Sequence, residues 1–97
     1  MIMNDMPLEQ LLSETVKPEI YFRGLRYFRR GAVYDFSKTE NFISAKVEGG
    51  YVRPYTVKID ITNNKAYCNC PFGFTEWCKH IVAVIIYFSN HKNLGNK

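Results

Sequence analysis

The apolar residues follow two different periods along the chain. Up to Gly31 they recur at helical spacing, and from Ala32 they alternate. Leu8, Leu11 and Leu12 share one face of a helix expected over Met6–Val16, with Asp5 as N-cap and Pro7 in the first turn. Lys17-Pro18 breaks that element, because proline disfavours helical geometry in the residue before it. A second helix is expected over Pro18–Arg30. At about 100° per residue, Tyr21, Leu25 and Phe28 fall on one side, with Ala32 continuing the line. Arg23, Arg26 and Arg30 fall on the opposite side and Arg29 lies at the boundary. Gly31 is a natural stop.

Beyond Gly31 the pattern is that of strands. Val33, Tyr34 and Phe36 belong to a first one. Ile43, Ala45 and Val47 alternate with Ser44, Lys46 and Glu48, and after Gly49-Gly50 the residues Tyr55, Val57, Ile59 and Ile61 alternate with Thr56, Lys58 and Asp60. Pro54 belongs at a strand start or an edge. Asn63-Asn64 marks a second turn, since asparagine tolerates positive φ. Lys65–Cys68 forms a last short strand, and the simplest arrangement is an antiparallel meander.

Residues 80–88 carry conflicting signals. Ile81, Val82, Val84, Ile85 and Ile86 are β-branched, which favours a strand. Yet Ile81, Val84, Ile85 and Phe88 line one helical face, and a helix is the expectation. Ser89–Lys97 is polar and is expected to fray. These readings give a single α+β domain over 1–97. It has a helical lead-in (1–31), an antiparallel sheet (32–67), a ligand-rich segment with the last helix (68–88), and a tail (89–97).

All three cysteines and one of the two histidines fall between Cys68 and His80. Cys68 and Cys70, one residue apart, point to the same side of an extended strand. Pro71 ends that strand, a loop containing Gly73 follows, and Cys78 and His80 arrive at the start of the last helix. Three thiolates and an imidazole make a complete tetrahedral set for one structural zinc. For any single cysteine, burial as a small hydrophobe is the competing account, and a nucleophilic Cys–His pair or an iron–sulfur cluster is a further alternative. The pair would leave Cys68 and Cys70 without a role, and no acid is placed to orient the imidazole. A closed set of four also leaves no open position for a catalytic water.

The spacing Cys68-x-Cys70, seven residues, Cys78-x-His80 resembles the SWIM zinc finger, whose pattern is Cys-x-Cys, a variable spacer, and Cys-x-His. The resemblance covers Tyr55–Phe88. It implies a β-hairpin followed by a helix, with the metal at the hairpin end and the helix start. It also implies a setting in DNA transactions, since such domains occur in bacterial Swi/Snf-type ATPases, in transposases and beside recombinase paralogues. Tyr21 through Val47 resembles the lead-in seen in the bacterial ATPases, and Ala83 fits the extended Cys-x-His-x-x-Ala form. No catalytic activity is carried over: the chain has no Walker A sequence and no paired carboxylates, and His91 lies in the polar tail.

Length and charge narrow the rest. A chain of 97 residues buries a limited core and gains from a staple. The odd cysteine count and an N-terminus without basic and apolar signal regions argue against a secreted disulfide framework and for a cytoplasmic protein. The longest apolar run, Ile81–Phe88, is far below the ~20 residues that span a bilayer. The net charge of +4 is compatible with nucleic acid. Arg23, Arg26, Arg29, Arg30 and Lys79 are the candidate DNA contacts, with Lys65 in support and Phe72, Phe74 and Trp77 as stacking platforms. The alternative is a protein-interaction module that docks an ATPase or recombinase-like partner through Val82 and Ile86 on the last helix. No small-molecule substrate and no enzymatic activity are expected.

Overall fold

The computed structural model describes residues 8–50, 52–71 and 77–95. Its elements are α1 (Leu8–Thr15), α2 (Pro18–Arg29), β1 (Val33–Lys38), β2 (Phe42–Val47), β3 (Tyr55–Asp60), β4 (Lys65–Cys68) and α3 (Lys79–Gly95). The α+β class and the antiparallel meander are as expected, with strand order β1-β2-β3-β4. Asp5 and Pro7, given roles in the first helix, and Phe72 and Phe74 of the loop lie outside the described residues.

One face of the sheet is apolar because the alternation holds across paired strands. Ile43 opposes Ile59 and Ala45 opposes Val57, and all four are buried. Cys68 opposes Val57. Directly opposed residues share a face, so this register turns the first sulfur inward. The period breaks once, in β1. Tyr34 pairs with Lys46 and Ser37 with Ser44, so two residues, Asp35 and Phe36, face Ala45 alone. Asp35 has φ 51°, the signature of a bulge. Strict alternation from Val33 would send Phe36 outward. The extra residue turns it inward, where its ring lies 4.9 Å from Tyr87 and 6.4 Å from Phe88.

Helix α2 stops where Gly31 takes φ 77°. The Ala32 N–H then reaches the Tyr27 carbonyl (3.1 Å) and the Gly31 N–H reaches that of Phe28 (3.0 Å), which is a Schellman closure. The arginines stay exposed while Tyr21, Leu25 and Phe28 are half-buried.

Helix α3 packs against α1 and α2 and against all four strands. Every residue from Ile81 to Ile86 is buried, none more than 6 % exposed. This resolves the conflict of propensities. A β-branched residue costs a helix at most about 0.7 kcal/mol, whereas burying its side chain is worth about 1.5–3 kcal/mol. A helix held between a sheet and two other helices also satisfies its own backbone groups. The same burial corrects the expectation that Val82 and Ile86 form a partner surface, since α2 and the sheet already cover them. Helix α3 runs through to Gly95, so most of the tail expected from Ser89 is helical. Asn90 Nδ2 donates to the Ile86 carbonyl (2.9 Å), His91 Nδ1 meets that of Tyr87 (2.8 Å), and the His91 ring stacks on Tyr87 at 4.0 Å. Among the described residues, no helix is long and apolar enough to cross a membrane.

Helix α2 passes close to α3 at Gly24. A Cβ there would press on the Val82 side chain and stand 2.9 Å from the Lys79 carbonyl oxygen. Gly24→Ala should therefore destabilise the fold by about 1–3 kcal/mol, although the substitution favours a helix by up to about 1 kcal/mol. A lowered urea midpoint with unchanged slope is the expected reading, and a raised midpoint would show that α2 can move away freely.

Candidate metal centre

Four buried side chains converge where the hairpin ends and α3 begins. The sulfurs of Cys68, Cys70 and Cys78 and a ring nitrogen of His80 all lie within 4.8 Å of one another. The local chain explains how. Strand β4 ends at Cys68, and Asn69 turns out to the edge of β3. Its Oδ1 accepts from the Thr56 N–H (2.9 Å) and its own N–H reaches the Thr56 carbonyl (3.3 Å). With Asn69 tied outward, Cys68 and Cys70 both face inward. On the other side, the Val82 N–H bonds the Cys78 carbonyl (3.0 Å), so Cys78 occupies the cap position and His80 the first turn of α3.

His80 Nδ1 lies 3.8 Å from the Cys68 sulfur and 3.6 Å from that of Cys78. With Zn–S near 2.3 Å and Zn–N near 2.0–2.1 Å, the N···S edge of a tetrahedral site is about 3.6 Å. The donors thus already stand at ligand spacing, and Nδ1 is the coordinating nitrogen. The ring is wedged by Tyr55, tilted against it at 4.3 Å, and by the edge of Tyr27 at 5.2 Å. Its Nε2 is buried without a hydrogen-bond partner among the described residues. A cavity of about 220 Å³ beside it, bounded by Tyr27, Gly49, Tyr55, Pro71 and Lys79, is large enough for a water to accept that proton.

Residues 55–88 are similar to the SWIM zinc finger. The SWIM family model matches this stretch, which runs from the start of β3 through the first part of α3 and contains all four donors. No curated protein and no solved structure matches the chain. The SWIM motif holds one structural zinc through Cys68, Cys70, Cys78 and His80. The remaining elements, α1, α2, β1 and β2, lie outside the matched stretch and add a helical layer and two strands to it.

The thiols of Cys68 and Cys78 shift in opposite directions. Cys78 is pulled down to about 4, first by the hydrogen bond from Cys68, with further help from His80, the Ile81 N–H and Cys70. The same bond, together with burial, pushes Cys68 well up. The shared hydrogen bond thus favours the thiol form of Cys68 and the thiolate form of Cys78. Zinc requires deprotonated sulfurs.

Around this centre the other candidate residues separate into two groups. Arg23 and Lys79 reach the same cleft beside the zinc ligands. Lys79 Nζ is also 5.9 Å from the Tyr27 ring, and the Arg30 guanidinium covers that ring at 4.3 Å while Nη2 donates to the Glu48 carbonyl (3.1 Å). Arg26 and Arg29 are exposed nearby on α2. Lys65, in contrast, sits at the far turn of the hairpin, paired with Asp60 rather than near the metal. Asp60 is held below the usual carboxylate range, chiefly by its hydrogen bond from Asn63 and least by Lys65. Trp77 is half-buried against the core and lines the cleft. Tyr27 and Glu19 were not singled out by the sequence, and Tyr55 and Lys17 were given only structural roles there, as a strand position and a helix break.

Two outcomes are expected. Zinc removal by a chelator should abolish cooperative melting, because a structural zinc contributes on the order of 10 kcal/mol, comparable to the whole stability of a small domain. Circular dichroism of the metal-free chain and of Cys70→Ser checks this, and an unchanged melt after confirmed removal would contradict it. Zinc uptake should also displace the Cys68 proton, so affinity rises with pH. It should fall further as pH drops toward about 4, where Cys78 is protonated as well. Competition with a chromophoric chelator across this range gives the slope, and a flat profile would rule out proton displacement.

Proposed function

We propose that this zinc-stapled module binds nucleic acid, with DNA as its partner, and performs no catalysis. The observation that carries the reading is the continuous row of cations from α2 onto the start of α3. Arg23, Arg26 and Arg29 are exposed on α2 and Arg30 at its C-cap, and Lys79 lies beside the zinc ligands. Among the described residues no carboxylate pairs with Arg23, Arg26 or Arg29. Arginine on a fixed helix suits phosphate contact, because its planar fork is organised in advance. Arg30 is the best held, by the Tyr27 face and the Glu48 carbonyl.

The metal supports a scaffold role. Four protein donors close its coordination, which leaves no site for an activated water. Docking of an ATPase or recombinase-like protein through Val82 and Ile86 loses its basis, since both lie in the core.

Binding should depend steeply on salt. Replacing Arg23, Arg26 and Arg30 with Ala should weaken binding to duplex DNA and flatten the slope of log affinity against log salt by about 2–3. Fluorescence anisotropy with the zinc-loaded protein across a salt series measures both. An unchanged slope would remove the arginine face from the account.

A further inference from the structure

A cleft of about 330 Å³ opens between the α1–α2 junction and the start of α3. Its walls bring together Lys17, Glu19 and Arg23 from one side and Trp77 and Lys79 from the other, with the zinc ligands at the base. Ligand cavities begin at about 300 Å³, so the cleft is sized for one small group. We propose that it takes one unpaired nucleotide of a single DNA strand, with the base stacked on Trp77 and the phosphate held by Lys17, Arg23 and Lys79. This rests on the nucleic-acid reading above and specifies its strandedness.

Charge alone would not select such a ligand. Zinc with three thiolates carries one net negative charge, and Glu19 adds another. The three cations of the cleft leave a balance of about one positive charge. That suits a single phosphodiester and disfavours a polyanion packed into the cavity. The stacking surface therefore carries most of the selectivity. Trp77 is partly buried against the core, so its ring is held in place, and stacking on such a platform is tolerant of base identity. A duplex keeps its base faces stacked on one another and offers none to Trp77. Arg23 belongs both to the cleft and to the arginine row, so a strand leaving the cleft continues along α2.

Trp77 is the only tryptophan of the chain, so its fluorescence reports the cleft directly. Zinc-loaded protein is titrated with a labelled oligothymidylate, with a labelled duplex of equal length, and with thymidine monophosphate, reading tryptophan emission and label anisotropy together. The single strand should quench Trp77 in step with its anisotropy rise, while the duplex binds without quenching. Trp77→Ala should weaken single-strand binding about ten-fold and leave duplex binding unchanged. Trp77→Phe, which keeps an aromatic face, should lose much less and guards against a variant that fails to fold. Binding of both DNAs with no quench and no effect of Trp77→Ala would overturn the cleft and leave the arginine reading standing. Absence of any anisotropy rise at low salt would overturn that reading and the cleft with it. Quenching by the mononucleotide as strong as by the strand would replace the strand assignment with a free-nucleotide site.

Discussion

The zinc centre is the constraint on which the remaining structure depends. The end of β4 and the turn after it deliver Cys68 and Cys70, the cap and first turn of α3 deliver Cys78 and His80, and among the described residues no disulfide joins the hairpin to the helix. A structural zinc contributes on the order of 10 kcal/mol, about what a domain of this size has in total. The apolar core alone must offset the conformational entropy of the 82 described residues. The metal shifts that narrow balance and fixes where α3 starts. The start matters more than the length, because the phase of α3 then determines which residues meet the sheet and which meet α2.

From that start, α3 serves as the core of the molecule. Its six buried residues from Ile81 to Ile86 face two layers, the inner side of the sheet and the side of α2 that carries Gly24. The missing side chain at Gly24 lets α2 cross close to Val82 and to the Lys79 carbonyl. This proximity has a second effect. It sets Tyr27 against His80, so a residue of α2 orients the zinc ligand that α3 supplies. The helical layer outside the SWIM stretch is thus part of the metal site's support.

Much of this was legible in the sequence because the signals were redundant. The strands showed in paired alternation, as with Ile43–Val47 against Tyr55–Ile61, and their turns were marked by Gly49-Gly50 and by Asn64, which takes φ 55°. The zinc ligands showed as a complete donor set at tight spacing. What stayed hidden depends on contacts distant in the chain. A bulge at Asp35 leaves no compositional mark, yet it decides that Phe36 reaches Tyr87. Val82 and Ile86 read as an excess apolar face, because a linear pattern cannot show that α2 will cover them. The last turns of α3 read as polar tail, although Asn90 and His91 return bonds to carbonyls one turn back. Tyr27 carries no mark of its own in the sequence, and only the fold sets it against His80.

The cations make the same point about assembly. Lys17, Arg23 and Lys79 come from the α1–α2 junction, from α2 and from α3, and only folding brings them to one cleft. Two contacts hold that convergence, the crossing at Gly24 and the ligation that begins α3 at Lys79. The positive surface is therefore a property of the metal-bound fold. An unfolded chain with the same net charge of +4 would attract phosphates diffusely, through screened single charges. In the folded chain, a zinc with three thiolates places one negative charge behind the cations, which lowers the net field near Lys79 relative to that along the exposed arginines of α2. Under the proposed nucleic-acid role, long-range attraction and local selection would be separated in space, the first along α2 and the second beside the zinc.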